Sequence, residues 1–201
     1  MTFSCAIDHA VLAVRDLVRA AEDFRALGFT LTPRGEHSIG SQNHCIMFAS
    51  TYLELLAAPV AHPWLDYYRE FLRAGDGLAA IALRTDDADA AYEALQAERV
   101  PAKPPMDLSR PVDGTVARFR LVQIEGVPNV FVCQHLTPQL IWREEWQRHA
   151  NGAKELVGVA LAAKPPVAGL PEAIEWAATP ALRIGGLRRE GEAHGVNLLA
   201  A

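Results

Sequence analysis

His9, Glu54, Arg118, Arg120, Asn43, His44 and His37 are the residues whose types and positions could do chemistry in this chain. His9 stands near the start of an apolar run, IDHAVLAVRDL, at residues 7–17. Strand alternation puts His9, Val11 and Ala13 on one face and Ala10, Leu12 and Val14 on the other. With helices over the all-apolar face, His9 looks into whatever the sheet encloses, where a neutral imidazole could bind metal or move protons. The alternative is a core histidine satisfied by one hydrogen bond. In YLELL, residues 52–56, Leu53 and Leu55 form one face and Tyr52, Glu54 and Leu56 the other. An acid flanked by leucines in an interior strand is costly unless paired or ligated, so Glu54 either faces a cavity or sits at a wet edge.

In TVARFRLVQ, residues 115–123, Ala117, Phe119 and Leu121 oppose Val116, Arg118 and Arg120. If packing under helices claims the first set, two guanidinium groups enter the cavity and could clamp a carboxylate, phosphate or enolate, which implies a small anionic substrate. If not, both arginines snorkel to the rim and pair with surface acids. Asn43 and His44 open a strand beside a Gly-Ser loop and could close over a ligand, and His37 in that loop could approach the cavity mouth. His44 shares parity with Ile46 and Phe48 and so also suits the core. His149 is expected to hydrogen-bond backbone in a turn.

The elements that must position these groups read as βαβββ, written twice. The first strand runs straight into a helix capped by Asp16 and stopped by Gly28, and strands follow at 29–32, 43–49 and 52–56. A connecting helix at 62–74 leads to a second strand at 78–84, a helix after Asp86 and Asp87 reaching Glu98, and strands at 115–124 and 130–135. LAVRDLVRAAEDF from Leu12 and IALRTDDADAAYEAL from Ile81 share a pattern, which implies an internal duplication with a period of about 70 residues. The expected units are a first module at 1–58, a connecting helix at 59–76, a second module at 77–136, and a connector with a partial third βα unit at 137–201. In that last part a short helix is expected at 142–149, a strand at 156–163 and a helix at 170–178. This segment either forms an appended layer or pairs with another chain, so a homodimer is a candidate assembly.

The 201 residues carry a formal charge of -5 with no basic stripe, so nucleic acid is not an expected partner. No apolar run approaches the roughly 20 residues that span a bilayer, and the N-terminus lacks a signal-peptide core, so neither a membrane nor export is expected. The expected location is the cytoplasm. Cys5, Cys45 and Cys133 are odd in number, far apart and set in strand-like runs, which suits reduced, buried thiols.

The chain resembles the vicinal oxygen chelate superfamily, and within it the glyoxalase-like domain proteins. The likeness is carried by DHAVLAVRDL at Asp8, LGFTLTPRGEH at Leu27, the loop from Gly40 to Asn43, YLELL at Tyr52, RPVDGTVARFR at Arg110 and HANGA at His149. The resemblance implies an α+β fold in which paired βαβββ modules form a curled mixed sheet around a cavity. It also implies a divalent metal, Zn, Fe, Mn or Ni, chelating vicinal oxygens of a small-molecule substrate, with His9 and Glu54 as the first module's ligands. In the second module Leu78 falls near the expected histidine, and Gln134 becomes the candidate ligand if Phe131 and Cys133 face the helices. An amide is a poor ligand for a transition metal. The implied activity is that of a lyase, isomerase or dioxygenase in which Glu54 and His9 are catalytic. The competing reading is a binding protein of the same fold without chemistry.

Overall fold

The computed structural model describes residues 6–125, 130–161 and 174–201. Cys5 therefore lies outside the described residues. Strand β1 (Ile7–Ala13) is buried along its whole length and leads into helix α1 (Leu17–Ala26). The Asp16 carboxylate accepts from the Arg19 N–H and caps this helix, which buries Leu17, Ala20, Ala21 and Phe24. Gly28, at φ +85°, ends it in a left-handed conformation where a Cβ would press on Asn151. Strands β2 (Gly35–Glu36), β3 (Gln42–Met47) and β4 (Tyr52–Ala57) complete the first βαβββ unit. The strand expected at 29–32 is extended chain instead, tied to β3 by the Thr32 N–H on the Cys45 carbonyl.

Helix α2 (Asp66–Ala74) buries no residue of its own, and it is shorter than the 62–74 expectation. The second unit follows as β5 (Gly77–Arg84), α3 (Ala88–Ala97, capped by Asp87), β6 (Met106–Val112), β7 (Thr115–Gln123) and β8 (Val130–His135). Strand β6 escapes sequence reading because it contains Pro111. It is an edge strand of its sheet, where a missing N–H costs no ladder bond.

These strands make one eight-stranded sheet in the order β2-β3-β4-β1-β5-β8-β7-β6. The two units meet where β1 runs antiparallel to β5. The sheet curls until its ends touch, with the Ser38 N–H donating to the Ser109 carbonyl at 2.8 Å. The fold is thus α+β, a curled and nearly closed mixed sheet with three helices among the described residues.

Beyond β8 the helix expected at 142–149 is replaced by two short 3-10 turns, Pro138–Leu140 and Glu144–Trp146, with Ile141 and Trp146 as the buried anchors of the segment. A second sheet follows, built of β9 (Glu155–Leu161), β10 (Ile174–Trp176), β11 (Ala181–Gly185), β12 (Gly191–Ala193) and β13 (Val196–Ala200). Residues 174–176 of the helix expected at 170–178 form strand β10. Leu156, Val159, Leu182 and Leu198 of this sheet join the core that holds Phe24 and Leu95, so it covers the helical side of the curled sheet. Apolar content gave no choice between helix and strand here, and long-range pairing decided. No described helix is long and apolar enough to cross a membrane.

Candidate functional site

The curled sheet encloses a cavity of about 70 Å³. By the room one water needs, that is space for about five waters or a small molecule of similar bulk. Its wall is apolar and aromatic, with Tyr52, Tyr68, Trp64 and Phe131 around a few polar groups: His9, His37, Asn43, Glu54 and Arg110.

A register slip between Ile7 and His9 puts one extra residue into β1 opposite β5. Such a bulge re-aims side chains, and here the adjacent Asp8 and His9 meet in a hydrogen bond of 2.7 Å between Asp8 Oδ2 and His9 Nδ1. Asp8 is fully buried. Burial by itself would raise its pKa, but hydrogen bonds from His135 and His9 hold the carboxyl well below the usual carboxylate range. Asp8 is therefore ionised and accepts from both rings. That fixes the His9 proton on Nδ1 and leaves the Nε2 lone pair toward Glu54, whose Oε2 is 3.8 Å away. The imidazole is stacked on Tyr52, with centroids 4.2 Å apart.

Glu54 is buried, and its Oε1 accepts from Asn43 Nδ2 at 2.6 Å. Three buried polar atoms of cavity-lining residues have no protein partner: Asn43 Oδ1, Arg110 Nε and Gln123 Oε1. Arg110, only 5% exposed, enters the cavity from β6. A Cβ on Gly35 would come within 2.5 Å of Asn43 Oδ1 and 2.7 Å of an Arg110 terminal nitrogen, so glycine there leaves space for the guanidinium. His37 bonds to the Ser41 hydroxyl at 2.9 Å, and burial pushes its pKa down to about 4, so it is neutral. Burial pushes the Cys45 thiol up to about 12.

The structure brings His9, Glu54, Asn43 and His37 together and sends four other candidates elsewhere. Gln134 points to α3, where its Oε1 accepts from the Ala88 N–H and its Nε2 donates to the Asp86 carbonyl. Phe131 and Cys133 face the cavity, the opposite parity to that expected. Arg118 is exposed, and Arg120 pairs outside the cavity with Asp89 at 2.8 Å and Asp107 at 2.7 Å. His44 donates to the Thr32 carbonyl at 2.7 Å on the side away from the cavity. For Arg118, Arg120 and Gln134 the cause is that the cavity wall is itself apolar and claims Phe119, Leu121 and Phe131, whereas on β3 the cavity face is taken by Asn43 and Cys45, which turns His44 away. His149 joins the Thr30 N–H to the Met47 carbonyl. Arg110, Asp8 and His135 were the groups missed. Arg110 sits next to the proline that hid its strand.

The chain matches the family model described as a glyoxalase-like domain over residues 7–179. It belongs to the glyoxalase-like domain family. With it goes the architecture of the vicinal oxygen chelate superfamily. A hypothetical protein from Staphylococcus aureus has a similar structure, with a TM-score of 0.75 at 14% identity over 98% of this chain and 100% of that chain. Methylmalonyl-CoA epimerase from Mycobacterium tuberculosis is a more distant likeness, with a TM-score of 0.48 at 19% identity over 64% of this chain and 85% of that chain. No curated protein matches the sequence.

This glyoxalase-like domain holds only half of the cavity ligand set that the resemblance implies. In the first unit Val11 lies opposite Glu54, and in the second Ala82 lies opposite Phe131. The Val14 N–H bonds the Leu56 carbonyl as the Thr85 N–H bonds that of Cys133. Phe131 is thus the counterpart of Glu54, and Ala80, rather than Leu78, that of His9. Neither can ligate an ion. Two protein donors fall short of the three that a catalytic metal site keeps, so the cavity residues do not fit that ion.

Proposed function

We propose that this chain is a glyoxalase-like enzyme of the lyase or isomerase type that moves a proton on a small carboxylate-bearing substrate. The observation that carries the reading is the meeting of a buried carboxylate, an oriented imidazole and the unpartnered Asn43 Oδ1 and Arg110 Nε in one small apolar cavity. Arg110 Nε offers a charge-assisted hydrogen bond to the substrate's carboxylate, and Asn43 Oδ1 accepts from a substrate hydroxyl. Glu54, held through one oxygen by Asn43, presents the other as the base that takes a proton from carbon. His9 Nε2 receives or returns a proton at a substrate oxygen, and the imidazolium so formed is stabilised by the ionised Asp8.

Proton exchange tests this. Small 2-oxo, 3-oxo and 2-hydroxy acids, incubated with the protein in deuterium oxide and followed by NMR, should show deuterium entering next to the carbonyl or hydroxyl carbon. The Glu54→Gln variant should lose that signal. The absence of Ala80 and Phe131 donors favours a second reading, a binding protein without chemistry. Saturation-transfer NMR showing a bound acid that never exchanges would decide for that one.

A further inference from the structure

On the side of His9 away from Glu54, four donor residues converge. Asp8, His9, Cys133 and His135 each offer one ligand atom, and these atoms all lie within 4.8 Å of one another. Asp8 Oδ2 is shared between His9 Nδ1 at 2.7 Å and His135 Nε2 at 2.8 Å, while Asp8 Oδ1 accepts from Arg84 Nε at 2.8 Å. His135 Nδ1 is buried with no hydrogen-bond partner. The proton chemistry above uses neither Cys133 nor His135. A carboxylate, two imidazoles and a thiol suit a borderline-soft divalent ion, and tetrahedral zinc with bonds of roughly 2.0–2.3 Å spaces its ligands roughly 3.3–3.8 Å apart. The hydrogen-bonded atoms need to part by about an ångström or less to reach that spacing. A surface recess lined by Ser50, Arg84, Asp86, His135 and Trp142 gives an ion access.

We propose that Asp8, His9, Cys133 and His135 form a tetrahedral zinc site that staples β1 of the first unit to β8 of the second across β5. It shares the His9 ring with the cavity pair of His9 and Glu54 but takes the ring's other nitrogen, and while Nδ1 holds the ion His9 cannot form the imidazolium of the proton transfer proposed above. Loading the ion converts the Cys133 thiol to thiolate, whose proton leaves to solvent, and moves the His9 proton from Nδ1 to Nε2 and the His135 proton from Nε2 to Nδ1. Arg84 holds the second oxygen of Asp8 and fixes that ligand from outside the coordination sphere.

The test is full-length protein, reduced, stripped with chelator and reloaded with zinc or cobalt(II). One ion per chain is expected, with a thiolate-to-cobalt charge-transfer band. Cys133→Ser should abolish the band, whereas Cys45→Ser and Glu54→Gln should keep it. His135→Gln should weaken zinc binding by about 100-fold or more, since even outer partners of a ligand are worth about 10–100-fold. X-ray absorption of zinc-loaded wild-type protein needs no variant and should show one sulfur at about 2.3 Å. A wild-type protein that takes up no stoichiometric ion, a sulfur-free shell, or a band that survives in Cys133→Ser would overturn the proposal. Zinc bound in this way by a protein that, stripped of metal, exchanges no substrate proton would remove the proposed reaction and leave the site standing.

Discussion

The Phe131 and His9 rings meet in a T-shaped contact, with centroids 5.5 Å apart and planes at 69°, and Phe131 holds in the second unit the register that Glu54 holds in the first. The cavity acid is therefore one-sided, with no carboxylate across from Glu54 to take over its role. Glu54→Gln should slow proton exchange by about 10²–10⁴-fold, the usual worth of a positioned base. The amide keeps an oxygen for Asn43, so circular dichroism and the melting curve should change little.

Arg110 and Arg120 separate ligand binding from surface pairing. Arg110→Gln removes the buried cavity cation and should weaken binding of small carboxylates by about tenfold or more, the worth of a charge-assisted bond. Arg120→Gln breaks pairs with Asp89 and Asp107 outside the cavity and should leave that affinity unchanged. Titration calorimetry with one acid across both variants checks the contrast.

Acid should destabilise the protein through His37. Burial depresses its folded pKa to about 4, below the ordinary 6.5, so the unfolded chain binds the proton more readily between these values. Stability is complete above about pH 6.5 and falls as pH drops toward 4, by about 3 kcal/mol in all from this one group. Urea titrations at pH 7 and pH 5 should show a smaller loss in His37→Asn than in the wild type.

Asp8 anchors three cationic or hydrogen-bonding partners while fully buried. Asp8→Asn leaves Arg84 without its charge partner and two imidazoles competing for one neutral oxygen. Breaking a buried pair from one side costs about 3–5 kcal/mol, and Arg84 is about a third exposed, so the low end applies. For a chain of this length, about 3 kcal/mol corresponds to a melting temperature about 6–12 °C lower. Differential scanning calorimetry measures it.

Much of the scaffold was legible because local signals agreed. Asp16 and Asp87 each accept backbone N–H groups at a helix start, as their place before Ala-rich amphipathic stretches suggests. The period of two in residues 7–17 and 52–56 placed His9 on the face opposite Leu12, and Glu54 opposite Leu55. Strand β6 was hidden by Pro111, and with it Arg110, since a proline inside a run argues against a strand unless the edge is known. The C-terminal sheet was illegible because its strands are short and their partners are distant in sequence.

By itself the sequence determined which residues of β1 and β4 share a face, where α1 and α3 begin, and that two similar units precede the C-terminal part. It could not choose which face of β7 and β8 turns inward. Both faces of this sheet are buried, one under helices and one around an aromatic cavity, so apolar character marks neither as the inside. Closure of the curled sheet made that choice. It turned Arg118, Arg120 and Gln134 outward, drew Arg110 in, and with one bulge in β1 set Asp8 and His9 against residues of the other unit.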